Sequence, residues 1–185
     1  FVDRRDVMHN DFVIVGPHSD PVEINGMSDA VAALRKIAQA KAPFYSRGDD
    51  SGTNKKELSL WEGAGIDVQQ ASGTWYRETG SGMGATLNTA AAVDGYTLTD
   101  RGTWISFENR RDLALLVEGD ERLFNQYGVM LVNPERHPHV KKEAGTTFIE
   151  WLCSPRGQRL IGEYRLHGRR LFTPDCHQLA ETAEQ

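Results

Sequence analysis

Apolar positions along this chain fall into short runs and helical stripes, with polar, glycine-rich stretches between them. Phe12-Val13-Ile14-Val15, closed by Gly16-Pro17, is an unbroken apolar run of strand length before a turn, and predicts a buried strand over 11–16. Ala30, Val31, Leu34 and then Ile37 or Ala38 recur at helical spacing, which predicts a helix over 28–40 with Ser28 as its N-cap. Phe44-Tyr45 reads as the next strand. A helix over 53–64 follows, with Leu58 and Trp61 on one side and Gly63 and Gly65 closing it. The segment 72–77 is ambiguous: Trp75-Tyr76 either starts a helix or lies in a loop, and Tyr76-Arg77-Glu78 lacks the pattern of an apolar strand. Gly80-Ser81-Gly82-Met83-Gly84 leads into a helix over 85–93, where Met83, Leu87, Ala90 and Ala91 share a face and Gly95 is the stop. Strands are expected over 113–117, 127–132 and, briefly, 171–174; helices over 141–152 and 155–164; and a polar, fraying tail from Gln178. Strands alternating with helices, one of them apolar on both faces, predict an α/β fold with a mainly parallel or mixed sheet.

Composition narrows the class. A chain of 185 residues makes one large domain or two small lobes, and 39% apolar residues suffice for a core. No apolar run approaches the roughly 20 residues of a membrane-spanning helix. A net charge of −5 argues against a nucleic-acid binder, yet leaves room for a local anion site built from amides and one arginine. Cys153 and Cys176 are not spaced as a metal motif; they form either one disulfide, given an oxidising compartment, or two buried thiols. The opening Phe1-Val2-Asp3-Arg4-Arg5, without initiator methionine or signal-peptide pattern, reads as a processed or truncated product.

The chemistry concentrates in Ser46-Arg47-Gly48-Asp49-Asp50-Ser51-Gly52-Thr53, where a strand ends and a helix begins. Unpaired amides and the positive end of the helix dipole make such a junction suited to an anion. Glycine lets backbone approach a ligand, the hydroxyls of Ser51, Thr53 and Ser81 can donate to an oxygen, and Arg47 adds a planar, permanently charged fork. Gly80 to Gly84 repeats the design at a second helix start, although a simple capped loop explains that segment alone equally well. Asp49 and Asp50 beside an anion require a reason. One either holds the Arg47 guanidinium or accepts a proton from a protonated ligand such as hydrogen phosphate; in direct contact, a carboxylate would repel a fully deprotonated dianion.

These residues resemble a family. Arg5-Asp6-Val7-Met8, Asn10 to Pro17, Ser46 to Thr53 with Glu57-Leu58 and Leu60-Trp61, Thr74-Trp75-Tyr76 with Gly80 to Gly84, and Tyr127-Gly128-Val129 with Asn133-Pro134 look like the tungstate-binding proteins of ABC-type uptake systems. Phosphate-binding proteins carry a similar Arg…Ser-Gly-Thr turn, which keeps phosphate open. The resemblance implies a type II periplasmic binding protein: two α/β lobes with hinge strands closing on a ligand. Residues 12–128 would form the second lobe, and 1–11 with 129–185 the remainder of an incomplete first lobe. It places Arg47, Thr53, Ser51, Gly52, Ser81, Gly82 and Met83 on the oxyanion, with Asp49 and Asp50 behind them. It also implies an extracytoplasmic monomer that delivers tungstate or molybdate to a permease, with no cofactor, no resident metal, no nucleic acid and no membrane insertion. Family members have a longer N-terminus with a Thr/Ser-rich ligand turn. This sequence begins after that turn, so this stretch alone is expected to bind tungstate weakly or not at all, and a full-length version tightly.

Other classes are weaker. The ligand domain of a cytoplasmic oxyanion-responsive regulator would need a DNA-binding unit that no helix-turn-helix pattern here supplies. An enzyme would need more than His137-Pro138-His139, which has no carboxylate to complete a metal set. His9, His18, His167 and His177 read as scattered surface residues. Arg101, Arg110 and Arg111 are further cations for a cleft, with Arg110-Arg111 expected on a solvated face near Glu108 and Asp112. Trp61, Trp75, Trp104 and Trp151 are expected mostly in packing roles.

Overall fold

The first strand, β1 (Val2–Pro17), runs far beyond the apolar stretch that signals it. The computed structural model describes residues 1–176, and the chain divides into two compact units, one of Asp11–Phe124 and one of Phe1–Asn10 with Asn125 onward. Within Asp11–Phe124, β1 pairs antiparallel with β4 (Thr97–Asp100) and with β5 (Leu113–Val117). Strand period assigns its side chains to opposite faces. Phe12 and Ile14 join one apolar cluster, with α1 (Ala30–Ala40), Phe44, Trp61 and Leu98. Val13 and Val15 join another, with Tyr45, Met83, Leu87, Trp104 and Phe107. That is why 12–15 reads as an unbroken apolar run: both faces are covered. Gly16 ends it where a Cβ would overlap the Tyr96 ring and lie 2.9 Å from Leu116 Cδ1.

The α1 helix begins later than its pattern suggests. Asp29, not Ser28, is the N-cap; its carboxylate accepts from the Ala32 amide at 2.9 Å, and Lys41 ends the helix in the left-handed region. β2 (Phe44–Ser46) is wholly buried and pairs in parallel with β3 (Tyr76–Glu78) in the register Ser46↔Glu78. β3 is therefore a strand where the sequence indicates a loop or helix start. Tyr76 is buried while Arg77 and Glu78 are exposed, so a one-sided edge strand hides its period in three residues. Both pairing directions occur: β2 and β3 pair in parallel, as do isolated bridges, and β1 is antiparallel to β4, β5 and β9 (Thr173–Pro174). A short helix, α4 (Arg101–Ser106), was not signalled by periodicity. It is set by Asp100, whose carboxylate caps the Thr103 amide at 2.8 Å. Arg110 is not a solvated cation: it lies 4.4 Å from the centre of the Trp104 ring and donates to the carbonyls of Trp104 and Phe107. Arg101 is held by Asp11 and Glu118.

In the other unit, β1 pairs with β9 at Met8↔Pro174 and His9↔Thr173, and β6 (Phe124–Leu131) also pairs with β1. Backbone pairing, not an apolar run, holds this charged half of β1. Helices α5 (Lys142–Cys153) and α6 (Pro155–Glu163) meet at Ser154, which closes the first and caps Gly157 of the second at 3.1 Å, with Pro155 at the first helical position. A hairpin of β7 (Arg165–Leu166) and β8 (Arg169–Arg170) follows. Cys153 and Cys176 form a disulfide, their Cα atoms 5.3 Å apart. Trp151 departs from a packing role: it is 44% exposed, its ring stacked along exposed Phe148. The expectations for His177 and for the tail from Gln178 lie outside the described residues.

Candidate functional site

Two strand–turn–helix units stand side by side in Asp11–Phe124. β2 leads through 47–51 into α2 (Gly52–Gly63), and β3 through 79–82 into α3 (Met83–Ala92). Because β2 and β3 are parallel, both turns leave from the same edge, and both helix N-termini open there. Backbone bonds lock the turns together: the Thr79 amide donates to the Ser46 carbonyl at 2.9 Å and the Ser81 amide to the Arg47 carbonyl at 3.2 Å. The hydroxyls of Thr79 and Thr86 are 2.8 Å apart and tie the second turn to its own helix.

The individual residues take distinct roles. Arg47 is one-fifth exposed and directs Nε (3.1 Å) and Nη2 to Asp49 Oδ2, leaving Nη1 without a hydrogen bond to the described residues. Asp49 Oδ1 accepts from the Ser51 amide at 3.3 Å. Hydrogen bonds from the Ser51 side chain, Arg47 and the Ser51 amide hold the Asp49 carboxyl below the ordinary carboxylate range. Asp50 points away, 88% exposed and 3.4 Å from Lys55 Nζ. Ser51 caps α2 by accepting from the Asn54 amide at 3.3 Å. The amides of Gly52 and Thr53, in the first turn, have no intrahelical acceptor. Thr53 is buried, and its hydroxyl makes no hydrogen bond to the described residues. Ser81 differs from the expectation of a free hydroxyl donor: its hydroxyl donates to the Thr79 carbonyl at 3.1 Å and its amide is used by Arg47. Its role is to join the turns. Gly82 caps α3 without a side chain, so the amides of Met83 and Gly84 stay open, while the Met83 side chain belongs to the core. Gly48 is required twice over: φ is +58°, and a Cβ would lie 2.6 Å from Glu78 Cβ.

Sequence reasoning missed what holds this edge in place. Ser46 Oγ donates to Glu57 Oε2 at 2.6 Å and accepts from Asn54 Nδ2 at 3.1 Å and the Gly48 amide at 3.2 Å. Glu57 Oε1 accepts from Tyr76 Oη at 2.7 Å and Trp61 Nε1 at 3.1 Å. Glu57 is 2% exposed. Burial pushes its pKa up, against the pull of the hydrogen bonds from Ser46, Tyr76 and Trp61. A signal existed: Glu57 sits four residues after Thr53 and four before Trp61, on the buried stripe of α2, where an unpaired charge is costly. The histidine pair 137 and 139 has ring centroids 6.1 Å apart, and no group of three metal-ligating side chains occurs among the described residues.

Two helix starts lie side by side next to one arginine, α2 capped by Ser51 and α3 without a side-chain cap, in an arrangement suited to an anion. Comparison with known proteins gives the chain a family. Residues 2–156 match the PBP superfamily domain. The chain is 46% identical over 179 residues to the tungstate-binding protein TupA of Peptoclostridium acidaminophilum, covering 95% of this chain and 62% of that protein. Among solved structures, the tungstate-binding protein TupA of Desulfovibrio alaskensis G20 aligns at TM-score 0.79 and 47% identity, covering 95% of this chain and 71% of that one. The tungstate ABC transporter structure from Geobacter sulfurreducens aligns at TM-score 0.78 and 47% identity, over 88% of this chain and 68% of that one. This chain belongs to the PBP superfamily and, within it, to the family of tungstate-binding proteins. It spans 52% of one sequence relative and 62% of another, about half to two-thirds of their length. No described helix is long and apolar enough to cross a membrane.

Proposed function

We propose that this chain is the ligand-gripping part of an extracytoplasmic solute-binding protein that captures tungstate, and also molybdate, and delivers it to an ABC-type permease. The observation that carries this reading is Arg47 in the turn before α2, whose carbonyl accepts from the Ser81 amide and so ties that turn to the one before α3. The tungstate-binding relatives agree with it. Arg47 Nη1, the amides of Gly52, Thr53, Met83 and Gly84, and the Thr53 hydroxyl would donate to the oxyanion, and each such bond to a charged acceptor is of the strong kind. Arg47, Gly52 and Thr53 form one jaw; Gly82 and Met83 supply the second through backbone. Ser51 and Ser81 serve that geometry from behind, as does Asp49. The ion is cargo, the action is capture and release, and no catalytic step is assigned.

Isothermal titration with sodium tungstate, molybdate, sulfate and phosphate tests the reading. Saturable one-to-one binding of tungstate and molybdate, with sulfate and phosphate far weaker, is the expected result. Equal heats for all four ions, or none for tungstate from the full-length protein, would overturn it.

A further inference from the structure

A buried charge that touches no ligand needs a purpose, because taking a carboxylate out of water is costly unless several donors meet it. Glu57 meets three: Ser46, Tyr76 and Trp61. The geometry points to Glu57 as a positioning residue for the anion site: its carboxylate, acting through Ser46, fixes the 47–53 turn, so the shape of the site follows the charge of Glu57. This rests on the oxyanion-binding reading above.

The hydrogen-bond inventory makes the case. A serine hydroxyl has one proton and two lone pairs. Ser46 uses all of them, giving its proton to Glu57 and accepting from the Gly48 amide and from Asn54. Asn54 Oδ1 in turn accepts from the Asp50 amide at 3.2 Å, and its own amide is capped by Ser51. Gly48, Asp50 and Ser51 are thus all connected to one carboxylate. Trp61 Nε1–H can only donate. A proton added on Oε2 opposes the Ser46 hydroxyl, which must turn and release Gly48 or Asn54. A proton added on Oε1 opposes Trp61 and forces the Tyr76 hydroxyl to turn. Tyr76 on β3 is the titratable group bonded to Glu57, and burial, followed by the Glu57 charge, pushes its own pKa upward, so it stays protonated while Glu57 titrates. Ser46 on β2, with Asn54 and Trp61 on α2, complete the contacts and carry no charge. Glu78 on β3 and the Arg47–Asp49 pair in the turn are the neighbouring charges.

The test is an acid titration of the ligand-free protein followed by amide NMR. The Trp61 indole resonance reads the charge of Glu57, and the Gly48 amide reads the turn. Both are expected to move together with one midpoint above the ordinary glutamate value of 4.5, and Glu57→Gln is expected to abolish that step. Tyr76→Phe removes a donor to the carboxylate and should raise the shared midpoint. Ser46→Ala should keep the indole titration and uncouple Gly48 from it. By isothermal titration, Glu57→Gln and Ser46→Ala should each bind tungstate about tenfold or more weakly, the scale usual for residues that orient a ligand-holding group. Glu57→Gln should also lose the acid limb of the wild-type affinity profile. A Gly48 resonance that ignores the Trp61 titration, or a Glu57→Gln protein with wild-type tungstate affinity, would overturn the proposal. If Glu57→Gln fails to fold, Ser46→Ala and Tyr76→Phe decide it. A full-length wild-type protein that binds no tungstate sinks the functional reading, while the coupled resonances still judge the role of Glu57.

Discussion

Removing the Arg47 guanidinium should do more harm than losing a hydrogen bond. Bonds to charged groups are worth about 1.5–3 kcal/mol, so Arg47→Ala loses roughly 10- to 150-fold in affinity on that count alone. It also strips the partner from Asp49, whose carboxylate Arg47 holds through Nε and Nη2. A bare carboxylate near a dianion adds repulsion to that loss. Both side chains are about one-fifth exposed, at 20% and 21%, so solvent screens that repulsion only in part. Arg47→Ala is therefore expected to weaken tungstate binding by more than about 100-fold. Arg47→Ala combined with Asp49→Asn should regain at least about tenfold, because the second change removes the repulsion and nothing else the ligand uses. Titration calorimetry on the wild type, both single variants and the double variant, at low and high salt, measures the coupling. Equal binding by Arg47→Ala and wild type would remove Arg47 from the site. A double variant no better than Arg47→Ala would show that Asp49 does not face the ion.

Three other outcomes follow from the same structure. Reducing the Cys153–Cys176 bond opens a loop with a sequence separation of 23, which by chain entropy costs about 3.4 kcal/mol; hydrogen exchange of α5 and α6 with and without reductant should show it, and unchanged protection would contradict it. Gly16→Ala forces a Cβ into Tyr96 and Leu116 and should cost about 1–3 kcal/mol in urea unfolding, the usual scale of overpacking. Asp120 is held down to about 2 from 3.8, first by its hydrogen bond from Arg122 and then by the amides of Ala30 and Arg122. A depressed folded pKa gives stability that is complete above 3.8 and lost as pH falls towards 2, so Asp120→Asn should flatten the acid limb of the unfolding midpoint in that window.

What was legible in the sequence depended on how many residues carried each signal. The strand at 12–15 and the helices at 30–40 and 155–163 declare themselves through several apolar positions or a strong cap. β3 has one buried side chain, Tyr76, in three residues, so no period exists to be read; tertiary pairing with β2 creates it. The charged start of β1 is invisible for the same reason, since backbone partners in β6 and β9 define it. At the site, Arg47, Gly52 and Thr53 stand out because glycine, hydroxyl and arginine share one helix start. Ser81 bonds through its hydroxyl and amide to Thr79 and Arg47, which no local pattern reveals. Glu57 lies four residues from both Thr53 and Trp61, but its partners Ser46 and Tyr76 come from two strands that only the fold brings together.

The arrangement of acceptors says which oxyanion suits this edge. In the proposed site, the groups without a partner among the described residues are Arg47 Nη1 and the first-turn amides of α2 and α3, which donate, and the Thr53 hydroxyl, which donates or accepts. The nearby carboxylates are committed elsewhere, Asp49 to Arg47 and Ser51, Asp50 to solvent and Lys55, Glu57 to its buried donors. A hydrogen phosphate ion keeps one proton near neutral pH and needs an acceptor for it, or it leaves that proton against an N–H. A deprotonated tetrahedral dianion such as tungstate, molybdate or sulfate has no such conflict, and size then separates the first two from the smaller third. Phosphate affinity should therefore rise as pH is raised through loss of its second proton, while tungstate affinity stays level over the same interval. Competition calorimetry measures both. Phosphate that binds best while still protonated would mean that a carboxylate does face the ligand, and Asp49 would be the first to re-examine, since its bond to Arg47 is the one an incoming ion could exchange.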